Sequence, residues 1–85
     1  MSNQTKTVSG IVLREIRTKE SDKIITVLTK ELGVVSIYAK GAMRLKNKFH
    51  SSTGLFTYSE FTIYESHQSN MYQLDEADVK NIFFK

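Results

Sequence analysis

The chain has 85 residues, of which 40% are apolar and 25% are charged, and its formal net charge is +3. This length allows one small domain, and the absence of cysteine excludes disulfides, thiolate metal sites and a cysteine nucleophile. No apolar run exceeds three residues, which excludes a membrane-spanning helix and a signal-peptide core, and Met1 leads into a polar stretch, so we expect a soluble cytoplasmic protein.

The first forty residues alternate between apolar and polar with a period of two, which predicts three β-strands. Their ranges are 8–17, 23–29 and 34–40. In the first strand, Gly10 indicates a bend or bulge, and simple alternation puts Val12 and Ile16 on the same face. Gly33 supplies the positive φ that the turn after the second strand requires. Short polar turns join the strands, so we expect a meander.

A polar connector over residues 41–54 interrupts the alternation and is too long for a tight hairpin turn. Part of it, residues 42–49, is compatible with a short helical turn. Alternation returns over residues 55–65, where Leu55 shares a face with Phe61, and this predicts a fourth strand.

A fifth strand begins at Met71. Residues 75–85 are compatible with two structures: the strand continues through a bulge near Glu76, or Asp75 caps a helix. The continuing strand is favoured.

Three strands, a long connector and two further strands are the layout of an all-β, five-stranded OB-fold barrel. The basic loop or short helical turn then lies between strands 3 and 4. An SH3-like barrel is the alternative at this length, but its usual connections are shorter than residues 41–54. We therefore expect a single OB-fold domain over residues 1–85.

The positive charge is concentrated in one segment. No Asp or Glu occurs between Glu31 and Glu60, and that interval carries +4, so the rest of the chain sums to −1. A local positive field attracts polyanions, most commonly nucleic acid. The alternative interpretation is a solvated loop whose charges maintain solubility.

A groove that binds nucleic acid needs cations for the phosphates and aromatic faces for the bases. Nine residues meet these requirements and are the predicted nucleic-acid-binding residues: Arg14, Arg17, Lys23, Tyr38, Lys40, Arg44, Lys46, Lys48 and Phe49. Tyr38 shares a strand face with Lys40 and is the best stacking residue. Three alternatives stay open: Tyr38 as a half-buried barrel residue, Phe49 as a core anchor, and Lys23 paired with an acidic neighbour in the sequence.

Catalytic and metal-binding arrangements are not indicated. His50 and His67 are 17 residues apart, without an acidic residue beside His50, so neither a catalytic triad nor a histidine metal pair is predicted. The acidic residues at positions 75, 76 and 78 are typical of a solvated edge or of a surface that faces a following domain. We predict no enzymatic activity, no cofactor and no small-molecule substrate.

Several short motifs, taken in order, resemble the N-terminal domain of bacterial RecO. They are Gly10-Ile-Val-Leu-Arg14, Glu20-Ser-Asp22-Lys-Ile, Leu28-Thr29, Glu31-Leu-Gly33, Ala39-Lys40-Gly41 followed by Arg44 and Lys46, Leu55-Phe56, Ile63-Tyr64, Tyr72-Gln-Leu74 and Glu76-Ala77. Each motif alone is weak, whereas their joint order and spacing cover nearly the whole chain. RecO proteins continue into a helical region that in many members holds a zinc site, so the chain resembles an excised N-terminal domain.

This resemblance implies a recombination mediator in DNA repair, located in the bacterial cytoplasm and associated with the nucleoid. It implies non-specific binding of single- and double-stranded DNA, strand annealing, RecA loading, and three protein partners: RecR, RecA and single-stranded-DNA-binding protein. Two alternatives remain: a protein-interaction module that docks RecR with little DNA affinity of its own, and an RNA-binding OB domain.

Overall fold

The structure is a computed structural model that describes residues 5–19, 21–43, 49–65 and 71–82. It contains five strands: β1 (Thr5–Thr18), β2 (Asp22–Thr29), β3 (Gly33–Ala39), β4 (Thr57–Glu65) and β5 (Tyr72–Ile82). The described ranges contain no helix, so the all-β prediction is confirmed. Over the same ranges, no helical segment has the length and apolar character needed to cross a membrane.

The strands close into a barrel in the order β1-β2-β3-β5-β4. β3 pairs with β5 in parallel through Ile37↔Tyr72 and Tyr38↔Gln73, and the other four pairings are antiparallel. A meander of three strands is thus followed by a connector that places β4 and β5 across the open side of the sheet. This is the predicted OB-fold, with the long connector between strands 3 and 4 as expected.

β1 is long because it pairs with two different strands. Residues 5–11 pair with β4 and residues 10–18 pair with β2, so Gly10 lies where the strand changes partners. A Cβ atom at Gly10 would lie 2.6 Å from both the Leu28 carbonyl oxygen and Val27 Cγ1. Glycine therefore permits the backbones of β1 and β2 to approach closely at this point.

The predicted shared face of Val12 and Ile16 is wrong. The register with β2 shifts between Val12 and Arg14, so Leu13 is an extra residue in a β-bulge. A bulge reverses the alternation that follows it. Val12 consequently points into the core, whereas Ile16 points outward and is 44% exposed.

The core consists of the inward-facing side chains of all five strands, together with two residues of the connector. β2 and β3 alternate as predicted, because Ile25, Val27, Ile37 and Ala39 are buried between more exposed neighbours. The buried apolar residues are Val8, Val12, Ile25, Val27, Ile37, Ala39, Ala42, Phe49, Phe61, Ile63 and Leu74.

The fourth strand begins at Thr57, two residues later than predicted. Phe56 has a φ of 61°, which a continuing strand cannot contain, and its N–H donates to the Val12 carbonyl over 2.8 Å. Leu55 and Phe56 therefore lie in an exposed turn, and Leu55 does not share the inner face with Phe61.

The fifth strand continues through Ile82, which confirms the favoured prediction for residues 75–82. Thr62 pairs with Glu76 and Ile63 pairs with Leu74, so Asp75 is the extra residue of a bulge beside Glu76, as expected. The expected helical turn over 42–49 falls largely outside the described residues. One helical turn does occur immediately afterwards, where Thr53 N–H donates to the Phe49 carbonyl over 3.2 Å.

Candidate nucleic-acid interface

The outer faces of β1, β2 and β3 form one continuous surface. Residues paired across adjacent strands project to the same side of a sheet, and Ile16, Ile24 and Tyr38 form one such row across the three strands. The neighbouring row contains Arg14, Thr26 and Ser36. We call this surface the outer face. It consists of Arg14, Ile16, Ile24, Thr26, Ser36, Tyr38 and Lys40. The corresponding face of strands 2 and 3 is the one that OB-folds use to bind oligonucleotides.

Asp22 joins the start of β2 to the end of β3 and to the connector. Its Oδ2 accepts a hydrogen bond of 2.5 Å from the Tyr38 hydroxyl, and its Oδ1 accepts one of 2.7 Å from the Gly41 N–H. Gly41 has a φ of 74°, the left-handed conformation that favours glycine. A further bond of 2.8 Å runs from the Met43 N–H to the Ser21 carbonyl. The β1–β2 turn and the first residues of the connector are therefore held together.

These hydrogen bonds shift the pKa values of both side chains. The Tyr38 hydroxyl, the Gly41 N–H and the nearby charges of Lys40 and Lys19 hold the pKa of Asp22 below its usual range, although desolvation opposes them. The same hydrogen bond to Asp22 raises the pKa of Tyr38. Both shifts reinforce the ionised carboxylate of Asp22 and the neutral hydroxyl of Tyr38, which is the pairing that the geometry requires.

Lys23 and Phe49 are buried. Lys23 is in phase with Ile25 and Val27 on the inward side of β2 and is 3% exposed. Its ammonium lies 2.7 Å from Glu15 Oε1 on the adjacent strand. Phe49 packs in the core, in agreement with the core-anchor alternative. Because neither group faces solvent, neither belongs to the interface proposed below.

The other predicted residues fall into three groups. Arg14, Tyr38 and Lys40 lie on the outer face, and both cations are exposed. Arg17 is exposed too, but it pairs with Lys23 in the register and so lies on the opposite face of β1 from Arg14. The remaining predicted residues, Arg44, Lys46 and Lys48, lie outside the described residues.

Sequence reasoning missed the apolar half of this face and the role of Asp22. The outward position of Ile16 follows from the bulge at Leu13, since without it Ile16 is assigned to the other side. An apolar row on the solvent side of an antiparallel sheet departs from the usual alternation, and that departure is visible in the sequence of β2. The described residues include no cluster of three or more histidine or acidic side chains that could hold a metal ion.

The family model described as "Recombination protein O N terminal" matches residues 1–83. The chain belongs to the RecO N-terminal domain family. Its similarity to curated RecO proteins extends over most of its own length but only part of theirs, since it spans about a third of their length or less.

Three relatives illustrate the match, and each is named "DNA repair protein RecO". The protein of Acetivibrio thermocellus is 42% identical over 82 residues, which cover 96% of this chain and 32% of the relative. That of Lactobacillus acidophilus is 35% identical over 66 residues, covering 78% and 26% respectively. That of Listeria monocytogenes is 37% identical over 68 residues, covering 80% and 27%.

The motifs that resemble RecO occupy structurally demanding positions in this RecO domain. Gly33 and Gly41 both have positive φ values, and Gly10 lies at the close approach of β1 and β2. Asp22, from the second motif, makes the two hydrogen bonds described above. Several motif residues therefore have a structural role in the turns and strand contacts of the barrel.

Proposed function

We propose that this RecO-type domain binds DNA without sequence preference as part of a recombination mediator in DNA repair. The observation that carries the proposal is the grouping of Arg14, Tyr38 and Lys40 on the outer face. The connector leaves this face at Gly41, and its sequence continues with three further cations, Arg44, Lys46 and Lys48. Arg14, Lys40 and the ring of Tyr38 are thus available from one side of the barrel.

The chemistry of this surface suits a mediator that handles single strands. Lys and Arg neutralise phosphates and release counterions, while a ring such as Tyr38 stacks with any base. Annealing then requires charge screening and transient release of bases, with no bond made or broken, so we propose a binding role without catalysis. The name shared by the relatives favours DNA over RNA as the nucleic acid.

The remaining family functions are proposed for the whole protein. They are annealing of complementary strands, RecA loading, and action together with RecR and single-stranded-DNA-binding protein, in the bacterial cytoplasm at the nucleoid. The support for them is membership of the RecO family over residues 1–83.

A salt titration of binding to fluorescently labelled single-stranded DNA tests the proposal. The slope of log affinity against log salt is about −0.7 for each phosphate neutralised on a single strand. We expect R14A/K40A to flatten the slope by about 1.4, and R44A/K46A/K48A by about 2. The matched control is K6A/K30A/K80A, which removes three cations away from the outer face and leaves the slope nearly unchanged.

Two results would contradict the proposal. Absence of binding at low salt by the folded wild-type chain would remove DNA recognition from this domain. Equal flattening by the control triple variant would mean that net charge, rather than this face, determines binding.

A second function is favoured by a different observation. Ile11, Leu28 and Val34 form an outward-facing row across β1, β2 and β3, with Leu28 47% exposed and Val34 61% exposed. Exposed apolar patches commonly mark protein interfaces, so this row suits the alternative in which the domain docks RecR. Under that alternative, L28K/V34K abolishes binding to purified RecR, while R14A/K40A retains it and the isolated domain shows little DNA affinity.

A further inference from the structure

Asp22 binds two separate parts of the proposed interface through its two carboxylate oxygens. Oδ2 accepts from the Tyr38 hydroxyl at 2.5 Å, and Oδ1 accepts from the Gly41 N–H at 2.7 Å. The first donor belongs to the proposed stacking residue on β3. The second lies at the start of the connector, immediately after Lys40.

The bond to Tyr38 fixes the orientation of the ring before any ligand arrives. A tyrosine side chain has few rotatable bonds, and anchoring its hydroxyl removes most of the remaining freedom. Asp22 is itself held in the sheet, because it is the first residue of β2, which pairs with β3. The ring is therefore pre-organised on the outer face, and pre-organisation lowers the entropic cost of binding.

The bond to Gly41 fixes the direction in which the connector leaves the barrel. The adjacent bond from Met43 N–H to the Ser21 carbonyl holds the same segment a second time. Lys40, between Tyr38 and Gly41, is thereby confined to the edge of the outer face. An ionised acceptor makes hydrogen bonds about twice as strong as a neutral one.

The charge of Asp22 acts in the opposite direction. The carboxylate stands beside Lys40 and Lys19, whose charges stabilise its ionised form. It therefore neutralises part of the positive field and repels an approaching phosphate. Hydrogen bonding and charge at this one residue consequently have opposite effects on DNA binding.

We propose that Asp22 is the positioning residue of the DNA interface, which it organises through Tyr38 and Gly41 while its negative charge weakens phosphate binding. This inference rests on the proposed function. It predicts that two substitutions that remove the same charge change DNA affinity in opposite directions.

The experiment compares D22N with D22A in single-stranded DNA binding. Asparagine keeps an oxygen for the Gly41 N–H and an amide that donates to the Tyr38 oxygen, so D22N retains the geometry without the charge. We expect D22N to bind about twofold to fivefold more tightly than wild type, since a nearby negative charge is lost. D22A loses both hydrogen bonds, and we expect it to bind about threefold to tenfold more weakly because Tyr38 and Lys40 must be ordered on binding.

Charge-matched and structural controls separate the possible causes. D75N removes an exposed carboxylate from the bulge in β5 and is expected to leave affinity within about twofold of wild type. Amide hydrogen exchange reports the positioning directly: D22A accelerates exchange at Gly41 and Met43, whereas D22N leaves both protected.

Three outcomes would overturn the inference. Equal tightening by D22N and D22A would show that only the charge matters, and equal weakening would show that the carboxylate itself contributes to binding. Unchanged exchange at Gly41 in D22A would show that Asp22 does not hold the connector. If wild type does not bind DNA at all, the proposed function fails, and exchange at Gly41 still decides whether Asp22 organises this region.

Discussion

Lys23 and Glu15 form an ion pair across β1 and β2, with 2.7 Å between Nζ and Oε1, and the lysine side chain is almost completely removed from solvent. The two residues lie on the inward side of their strands, and Lys23 continues the buried positions of Ile25 and Val27. A buried ammonium is tolerated only when an acceptor compensates for its desolvation. Glu15 provides that acceptor while about a third of its own side chain stays exposed.

Removing the acceptor is therefore expected to cost more than removing the cation. E15A leaves the Lys23 ammonium buried without its partner and lowers the free energy of unfolding by about 2 kcal/mol, less than for a fully buried pair because solvent reaches the site from the Glu15 side. K23M replaces the cation with an apolar chain of similar volume and changes stability by less than about 1 kcal/mol. Urea denaturation of both variants measures the difference.

K23M also tests whether Lys23 takes part in DNA binding. With its ammonium engaged inside the barrel, Lys23 has no access to phosphate, so K23M should bind single-stranded DNA with the wild-type salt slope. A slope reduced by about 0.7 in K23M would return Lys23 to the interface and contradict its assignment as a structural residue.

Substitution of Gly10 or Gly33 is expected to lower the stability of the domain, for a different reason at each position. In G10A, the new methyl group meets the Leu28 carbonyl oxygen and Val27 Cγ1 at 2.6 Å. Because one of these is backbone, the strands must separate, and we expect a loss of about 2 kcal/mol or more. At Gly33, an added Cβ atom meets nothing within 4 Å among the described residues beyond its chain neighbours. The φ of this residue is +70°, however, which an alanine adopts only with strain. We therefore expect G33A to lower the free energy of unfolding by about 1 kcal/mol.

Asparagine distinguishes the two mechanisms. Asn tolerates the left-handed conformation better than Ala, so G33N should recover part of the stability lost in G33A, whereas G10N should be at least as unstable as G10A. Thermal unfolding of the four variants provides the comparison. Recovery at position 10 would mean that conformation, rather than steric contact, explains that glycine.

Acid stability should depend on Asp22. Its pKa in the folded state lies below the ordinary value of 3.8, so its contribution to stability is fully present above that value and is lost as the pH falls through the folded-state pKa. D22N cannot titrate, and the decrease in its stability as the pH falls below 3.8 should be shallower than in wild type. Chemical denaturation at a series of pH values measures both profiles.

The aromatic ring of Tyr38 should contribute to DNA binding separately from its hydroxyl. Y38A removes the stacking surface and is expected to weaken binding by about 1 kcal/mol or more, within the range found for a base stacked on an aromatic residue. Y38F keeps the ring and loses the bond to Asp22, so it should bind with an affinity between those of wild type and Y38A. Fluorescence anisotropy with labelled single-stranded DNA measures all three. Equal losses in Y38F and Y38A would assign the effect to the hydroxyl instead of stacking.

Local alternation is sufficient to predict most of the barrel. The inward residues of β2 and β3, the long connector after β3 and the bulge beside Glu76 all follow from patterns within a few residues. The bulge at Leu13 does not, because it is set by the register between β1 and β2 rather than by either strand alone. Alternation misassigns Phe56 to a strand for a similar reason, since its positive φ depends on a turn that bonds back to Val12.

The candidate site is only partly predictable, because its organisation depends on contacts distant in sequence. Residue type and phase are enough to identify Tyr38 and Lys40, whereas the outward position of Arg14 depends on the bulge at Leu13. The bond between Asp22 and Tyr38 joins residues 16 positions apart, and the partner of Lys23 lies on another strand. A sequence pattern gives the face on which a side chain lies, whereas the partner that it meets there depends on how the strands pair.

The double pairing of β1 has a consequence for the order in which the chain folds. The meander from β1 to β3 uses contacts between nearby residues, but closure joins β1 to β4, for example at Thr7 and Thr62, which are 55 residues apart. Such distant pairing is slow because the intervening chain must first be ordered. During synthesis, the first half of β1 therefore stays unpaired until β4 has left the ribosome. Until then, the hydrogen-bonding edge of β1 is open to other chains.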